Sequence, residues 1–265
     1  MRHSFEEEQF VPNEADIWIH LAWAGAGSQN RTNTGIQEYN VRMSLDALEK
    51  AAEIGCKRFV FSGSQAEYGG IHNESGYQTE TDECFPVSEY GKYKLLFGSL
   101  AAQREYVDDG AKRGMISKKE GVVEFVHLRI FSVYGPGDHP WTLVNTAVDG
   151  FLAGRDVTFG PCCQIWNYMY IDDAADAIIR AALYAKPGII NIGSFLSRPL
   201  KEYVEVIKKI CGKDSELFFG ARKDNAEGAA GLCPDVRRLE STGFRETVSF
   251  EEGIKRIVEY KTAGF

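Results

Sequence analysis

The fold of this chain is decided by the stretch Arg58-Phe59-Val60-Phe61, which runs directly into Ser62-Gly63-Ser64. A short run of large apolar side chains that ends in small polar residues and glycine predicts a strand buried on both faces. Such strands occur in parallel sheets with helices on either side. The residues just after the strand would then lie at the edge where open α/β sheets bind their ligands.

The flanking sequence repeats this pattern in both directions. Residues 17–22 (IWIHLA) form an earlier apolar run that ends at the Gly-rich residues 24–27 (AGAG), and residues 122–130 form a later run. Between the first two strands, apolar side chains recur at helical spacing at Val41, Leu45, Leu48 and Ala52. Strands that alternate with an amphipathic helix predict a parallel α/β sheet.

The pattern is less regular after residue 137. Predicted helices cover residues 141–152, 173–184, 199–210 and 249 onward, and predicted short strands cover 157–159 and 189–192. Ser249 and Glu252 give the last helix a capping-box start.

The composition excludes several classes of function. With 265 residues, 44% of them hydrophobic, the chain is long enough for one large domain or two unequal ones. A net charge of −8 argues against nucleic acid or an anionic membrane as the main partner. No apolar stretch approaches the ~18 residues of a membrane span, and residues 1–8 lack a signal-peptide core. The six cysteines show neither C-x-x-C nor metal spacing, so we expect reduced thiols, no metal site and a cytoplasmic protein.

Tyr90 and Lys94 are the residues most suggestive of chemistry. They lie four apart in residues 88–94 (SEYGKYK), so a helix capped at Ser88 places both side chains on one face. An ammonium beside a phenol lowers the phenol pKa from about 10 and makes a general acid/base that works near neutral pH. The same spacing also arises by chance on solvated helices, so the pair alone does not establish a site.

Other segments extend the pair into a family pattern. Residues 59–69 (FVFSGSQAEYG) precede it and residues 128–138 (LRIFSVYGPGD) follow it. In this order and spacing they closely resemble the extended short-chain dehydrogenase/reductases, the nucleotide-sugar epimerase/dehydratase family. Shorter resemblances, which carry the likeness over nearly the whole chain, occur at residues 20–22 (HLA), 39–41 (YNV), 168–173 (YMYIDD) and 191–193 (NIG).

The resemblance implies a fold, ligands and an assembly. We expect an α/β protein with an NAD(P)-binding, Rossmann-like parallel sheet, N-terminally incomplete, in residues 1–136, to which the strand near 189–193 returns. A smaller, mainly substrate-binding α/β domain would occupy residues 137–265. The family further implies NAD or NADP as cofactor, a nucleotide sugar as substrate, and a homodimer formed through the helices that begin near Thr34 and Ser88.

The same resemblance assigns roles to individual residues. Tyr90 would be the general acid/base, Lys94 would lower its pKa and hold the nicotinamide ribose, and Ser64 would orient the substrate oxygen. The residues expected to bind the cofactor are Leu21, Ala22, Trp23, Asn40, Ser62, Tyr90, Lys94 and Val133. Those expected to bind the substrate are Ser64, Gln65, Ser132 and Trp166. Without the resemblance, Ser64 is equally explained as a turn serine, and Trp166 as a core or interface aromatic.

The chain departs from the family pattern at its start. Members open with a strand, a G-x-x-G-x-x-G turn and a helix that hold the dinucleotide pyrophosphate, and this sequence has no such motif. Residues 16–22 resemble the family's fourth strand, which would leave a bare apolar sheet edge. We therefore expect an incomplete gene start or a fragment. The alternatives are a short protein whose edge a partner covers, and a non-catalytic fragment that cannot hold the dinucleotide.

A second departure bears on the reaction. Members that dehydrate the sugar carry an Asp-Glu pair where this chain has Gln65 and Ala66, and Glu67 comes one residue too late. We therefore expect C4 epimerisation or reduction of a 4-keto sugar, with a slight preference for reduction. Residues 164–167 (QIWN) also lack the arginine that often contacts nucleotide phosphate, and we consider Arg198 or Arg222 as its substitute.

Overall fold

The computed structural model describes residues 15–27, 30–70, 76–105, 123–212, 214–221 and 231–263. Its strands are β1 (Ile17–His20), β2 (Arg58–Ser64), β3 (Glu124–Ile130), β4 (Ser132–Tyr134), β5 (Val157–Thr158), β6 (Ile165–Tyr170), β7 (Gly188–Ile192), β8 (Ser197–Pro199) and β9 (Leu217–Phe218). Its α-helices are α1 (Thr34–Glu53), α2 (Glu89–Glu105), α3 (Leu143–Leu152), α4 (Ile171–Tyr184), α5 (Leu200–Cys211), α6 (Arg237–Glu240) and α7 (Phe250–Thr262). A short 3₁₀ helix, Gln65–Glu67, follows β2 directly.

In the described ranges, four strands form the central parallel sheet, in the order β1-β2-β3-β7. The predicted parallel α/β sheet is therefore confirmed. β2 lies between β1 and β3, in agreement with its continuous run of buried residues. The chain leaves this sheet after Ile130 and returns at Gly188, where β7 pairs with β3.

The alternation of side chains along β2 gives the sheet a core on each face. Phe59 and Phe61 point to the face covered by α1 and α2, where they pack with Phe97. Val60 points to the opposite face, where it packs with Val126 and the small side chains of α4. Burial of each large apolar side chain contributes roughly 1.5–3 kcal/mol, so both faces stabilise the position of this strand.

The residues after Phe131 build a second, smaller unit of sheet and helix. β4, β6 and β8 form a three-stranded sheet, β5 pairs with β9, and α3, α5 and α7 pack against a shared aromatic core. Residues 132–134 form the first strand of this second unit. Once the Phe131 amide has donated to the Ile192 carbonyl, the chain turns out of the central sheet, and these residues pair with β6.

The helices begin close to their predicted starts. The Ser88 hydroxyl accepts the Gly91 amide at 3.3 Å, and the Ser249 hydroxyl accepts the Glu252 amide at 3.2 Å, so each serine caps its helix. The helix expected from residue 141 begins instead at Leu143, after a hydrogen-bonded turn.

β1 is the outer strand of the central sheet in the described part of the chain, since it pairs there with β2 alone. Ile19 and Leu21 are exposed at this edge. The open, apolar edge expected from the sequence is thus present among the described residues. None of the helices described is long and apolar enough to cross a membrane.

Helix α2 approaches the 3₁₀ helix very closely at Gly91. A Cβ atom at this position would lie 2.9 Å from the carbonyl carbon of Ala66 and closer still to its oxygen, a separation that real side chains essentially never show. The missing side chain therefore lets α2, which carries Tyr90 and Lys94, lie against the end of β2.

We predict that Gly91→Ala destabilises the protein by about 2 kcal/mol, because two backbone segments must separate to admit the methyl group. In an unconstrained helix the same change stabilises by up to about 1 kcal/mol, so the sign is diagnostic. Gly35→Ala in the first turn of α1 is the matched control, since an added Cβ there meets only Asn33 Oδ1 at 3.6 Å. Denaturant unfolding measures both variants, and a stabilising Gly91→Ala would contradict the packing described.

Candidate active site

Lys94 is a buried charged side chain at the carboxyl end of the central sheet. Its residue is 2% exposed, and its ammonium donates a hydrogen bond to the Ser62 carbonyl at the end of β2. The ammonium also lies 4.2 Å from the ring centroid of Trp23 and 4.8 Å from that of Phe61. Cation–π contacts of this length are attractive, so the surrounding rings and the carbonyl hold one positive charge in a fixed place.

Tyr90 lies one helical turn before Lys94 on α2 and is buried beside it. The Lys94 ammonium is 5.7 Å from the centroid of the Tyr90 ring, and the Arg31 guanidinium lies 4.3 Å from the same centroid. Trp23 meets the ring edge-on at 6.4 Å. Two cations thus lie close to the phenol ring. Lys94 is predictable from the sequence, but Arg31 is not, because a single arginine in a loop carries no spacing signal.

Burial dominates the electrostatics of this cluster. It lowers the pKa of Lys94 to about 7, while the negative charge of Glu67 acts in the opposite direction. Burial, together with the positive charge of Lys94, lowers the pKa of His20 on β1 to about 4. His20 is therefore neutral at pH 7, and its Nε2 shares a hydrogen bond of 2.9 Å with the Ser44 hydroxyl. Lys94 is left poised to change its charge near neutral pH.

Ser64 ends β2 and caps the 3₁₀ helix. Its hydroxyl oxygen accepts the Ala66 amide at 3.2 Å, and its own amide donates to the Glu67 carboxylate at 2.8 Å. A hydroxyl that accepts a hydrogen bond keeps its proton for donation, so this local role leaves Ser64 able to donate to a substrate oxygen. The turn-serine interpretation and the site interpretation are therefore compatible. Ser62 differs, because it contributes its carbonyl to Lys94.

Two amide side chains of α1 hold the loop that follows β1. Asn40 pairs with Ala24 in both directions, donating to its carbonyl at 2.8 Å and accepting its amide at 3.0 Å. Gln37 accepts the indole N–H of Trp23 at 2.8 Å. The Asn40 side-chain amide thus forms its hydrogen bonds with this loop. In doing so it helps to position residues 21–22, which are exposed at the end of β1.

The remaining predicted site residues lie on other elements. Gln65 opens the 3₁₀ helix, and Ser132 and Val133 lie on β4 in the second sheet. Trp166 on β6 pairs in register with Arg198 on β8.

The surroundings of Trp166 and Arg198 are those of packed residues. Trp166 packs against the aromatic cluster that contains Tyr68 and Phe131. Two guanidinium nitrogens of Arg198 each lie 3.1 Å from a carboxylate oxygen of Glu251, so its charge is already paired. Arg222, the other arginine considered for a nucleotide phosphate, lies outside the described residues.

The Lys94 cluster, formed by Lys94, Tyr90, Trp23 and Arg31, lies at the carboxyl edge of the central sheet. It combines an ammonium, a phenol and the exposed residues 21–22 at the carboxyl ends of β1 and β2, where open α/β sheets bind nucleotides. The sequence offers no G-x-x-G-x-x-G turn for the pyrophosphate. In the described part of the chain, no group of three or more His, Cys, Asp or Glu side chains could hold a metal ion.

A parallel sheet with helices on both faces gives this chain the Rossmann-like α/β fold of the solved structures it matches, and its family match places it among the extended short-chain dehydrogenase/reductases. The chain belongs to the NAD dependent epimerase/dehydratase family, which its residues 5–193 match. The family and fold expected from the sequence motifs are therefore confirmed.

Known proteins agree with this assignment. GDP-L-fucose synthase 1 of Arabidopsis thaliana is 23% identical over 273 residues, which cover 96% of this chain and 79% of that protein. The crystal structure of UDP-glucose 4-epimerase with UDP-glucose from Thermotoga maritima matches with a TM-score of 0.79 at 23% identity, over 94% of this chain and 77% of that one. RMD from Pseudomonas aeruginosa complexed with NADPH matches with a TM-score of 0.80 at 17% identity, over 96% and 84% of the two chains.

We predict that Lys94→Met raises the melting temperature at neutral and mildly acidic pH. Methionine fills similar space without a charge, and so removes the unfavourable burial of an ammonium whose folded pKa of about 7 lies well below its unfolded value of about 10.4. Since the unfolded chain binds this proton more tightly, the destabilisation is fully present below the folded pKa and fades as the pH rises toward the unfolded pKa. Calorimetry should therefore show an increase of several degrees, on the order of 5 °C, near pH 6 that shrinks near pH 10.

The control for this prediction is Lys92→Met on the exposed face of the same helix, where the lysine pairs with Glu89 at 2.7 Å. A Lys94→Met protein that melts below the wild type at every pH would show that the ammonium stabilises the fold, contrary to this account.

Proposed function

We propose that this chain is an NAD(P)-dependent enzyme that acts on a nucleotide-activated sugar, either by reducing a 4-keto group or by epimerising C4, with Tyr90 as general acid/base. The observation that carries the proposal is the Lys94 ammonium, which the Ser62 carbonyl fixes one helical turn from Tyr90 at the ligand-binding edge of the sheet. Membership of the NAD dependent epimerase/dehydratase family supports the cofactor and substrate class.

Tyr90, Lys94 and Ser64 each contribute one part of the proposed reaction. When bound, the dinucleotide exchanges a hydride with the sugar carbon. In the reductive direction, Tyr90 donates its proton to the carbonyl oxygen, so that the ketone becomes a secondary alcohol, and the phenolate later regains a proton from solvent. Lys94 stabilises that phenolate, because a nearby opposite charge favours the ionised form. Ser64 donates a hydrogen bond to the same sugar oxygen and orients it.

For epimerisation the same groups act twice. Tyr90 first accepts the proton of the C4 hydroxyl as the carbon gives up its hydride, and then returns the proton after hydride addition to the opposite face. The two reactions therefore require the same phenol and ammonium. In reduction the ketone enters as the substrate and the oxidised dinucleotide leaves, whereas in epimerisation the ketone would form and be consumed within the site and the dinucleotide would be regenerated.

Dehydration suits these residues less well. Gln65 and Ala66 stand where dehydrating relatives carry an acidic pair, and neither can act as a general acid. The carboxylate of Glu67 is fully buried and turned toward His127 and Arg129. Between the two remaining reactions we favour 4-keto reduction, on the strength of the SGSQAEYG variant and of Trp166 in place of an arginine.

Three wider features complete the proposal. We place substrate binding mainly in residues 137–265 and cofactor binding in residues 1–136, and we place the enzyme in the cytoplasm.

We also propose a homodimer through α1 and α2, whose exposed Tyr39 and Leu96 provide apolar contact area. Sedimentation velocity tests the dimer, which a monomer at micromolar concentration would contradict.

Titration with NADH and NADPH tests the cofactor half of the proposal. We expect saturable binding of at least one of them, reported by quenching of Trp23, whose ring lies 4.2 Å from the Lys94 ammonium. Lys94→Met should weaken this binding, and Lys92→Met should leave it unchanged. If neither dinucleotide binds, the protein is instead the non-catalytic fragment considered above.

Substitution of Tyr90 tests the chemical half. We expect Tyr90→Phe to lower turnover of a 4-keto nucleotide sugar by about 100-fold or more while the fold and dinucleotide affinity persist, since only the transferred proton is lost. The matched control is Tyr93→Phe on the same helix, where the hydroxyl donates to Glu38 at 3.2 Å. Near-wild-type turnover by Tyr90→Phe would remove Tyr90 from the mechanism.

A further inference from the structure

Glu67 is a buried carboxylate that takes no part in the proton transfer described above. It is 0% exposed, and its oxygens accept hydrogen bonds from the Ser64 amide at 2.8 Å, His127 Nε2 at 3.0 Å and Arg129 Nε at 3.1 Å. A carboxylate without access to water is strongly unfavourable unless donors surround it. The three donors therefore fix both the position and the orientation of this side chain.

Two glycines make room for this arrangement. His127 and Arg129 are two residues apart on β3, so both side chains lie on the same face of the strand, toward α2. A Cβ atom at Gly63 on β2 would lie 2.5 Å from Glu67 Oε1, and a Cβ atom at Gly98 on α2 would collide with the His127 ring. The packing of β2, β3 and α2 thus leaves a space that suits these side chains and excludes alternatives.

We propose that Glu67 is a positioning residue for the reaction: held by His127 and Arg129, its carboxylate fixes Ser64 at the end of β2 and places a negative charge within electrostatic reach of Lys94. This inference rests on the proposed function, because it assigns Glu67 a role through Ser64 and Lys94. The link to Ser64 is a direct hydrogen bond to its backbone. The link to Lys94 acts through space: Lys94 donates to the Ser62 carbonyl while Glu67 accepts the Ser64 amide, so the two charges are held two residues apart at the end of β2.

The electrostatic link follows from the groups that face Lys94. These are Glu67 from the 3₁₀ helix, His20 from β1 and Tyr90 from α2 itself. His20 is neutral near pH 7, so Glu67 is the source of negative charge that opposes the effect of burial on the Lys94 pKa. Burial acts to raise the pKa of Glu67. His127, Arg129 and the Ser64 amide together outweigh burial and hold that pKa below its ordinary value. Glu67 therefore stays ionised over the range in which Lys94 titrates.

Two substitutions separate the two links. Glu67→Asp keeps the charge but withdraws the carboxylate from the Ser64 amide by one methylene. Glu67→Gln keeps the length but removes the charge. We expect Glu67→Asp to lower kcat by about 10- to 100-fold with an unchanged pH profile, because the reacting groups are misplaced. We expect Glu67→Gln to lower kcat as well and to move the alkaline limb of kcat about one pH unit lower, because Lys94 then loses its proton more readily.

Glu80→Gln is the matched control. Glu80 is another carboxylate that accepts a backbone amide, that of Asn191 at 3.1 Å, and burial raises its pKa. Its replacement should leave both kcat and the pH profile as in the wild type. A role for Glu67 in general stability alone would lower the melting temperature of its variants without moving the alkaline limb.

Two NMR readouts are independent of turnover. Exchange of the Ser64 amide proton should become about 10-fold faster in both Glu67 variants, since its acceptor is withdrawn or weakened. The titration midpoint of the Lys94 side chain, followed at its Cε carbon, should fall by about one unit in Glu67→Gln and stay in place in Glu67→Asp.

These readouts keep the two proposals apart. If the wild-type protein binds no dinucleotide and turns over no nucleotide sugar, the proposed function fails, and the NMR measurements alone decide the role of Glu67. Wild-type Ser64 exchange together with an unchanged Lys94 midpoint in Glu67→Gln overturns the inference. If Glu67→Gln does not fold, Glu67→Asp decides: wild-type kcat and wild-type Ser64 exchange in that variant overturn it, and losses in both support it.

Discussion

An ammonium ion with almost no access to water is the constraint around which the carboxyl edge of this sheet is arranged. Lys94 has to lose most of its hydration to reach the end of β2, and the Ser62 carbonyl and the ring of Trp23 replace only part of it. The indole N–H of Trp23 in turn donates to Gln37 on α1. Residues of α1 and α2 and of the ends of β1 and β2 therefore hold the charge of Lys94 in place. The depressed pKa of Lys94 shows that this compensation is incomplete. The site is therefore a region where the burial of one charged group lowers the stability of the fold.

The same edge holds two groups of charges. The cations of Arg31 and Lys94 both lie near the ring of Tyr90. Glu67 and Arg129 form an ion pair with almost no access to water, and Glu67 also accepts the amide of Ser64. This ion pair therefore holds the backbone at the end of β2, close to the Ser62 carbonyl to which Lys94 donates.

Much of the fold could be predicted because its signals are local. The unbroken apolar run of β2 indicated a strand buried on both faces, and two cores do enclose it. The spacing of Tyr90 and Lys94 likewise indicated a shared helical face. The contacts of Arg31 with Tyr90 and of Glu67 with His127 could not be predicted in this way, since the partners lie about 60 residues apart in the sequence. The pairing of residues 132–134 with β6 is also non-local, and no pattern within that segment distinguishes a strand from a loop exit.

The long segment between β3 and β7 affects the order in which the central sheet can form as the chain is synthesised. During translation β1, β2 and β3 are synthesised in order. The outer edge of β3 can pair with β7 only after residues 131–187 have also been synthesised. Closing so long a loop in parallel register is slow, because the entropy is lost before the strand contacts form. The central sheet and the second unit are therefore interleaved along the chain, since β7 of the central sheet lies between β6 and β8 of the second sheet. A cut after residue 136 would separate the central sheet from its own fourth strand, so neither half is a unit that translation could deliver complete.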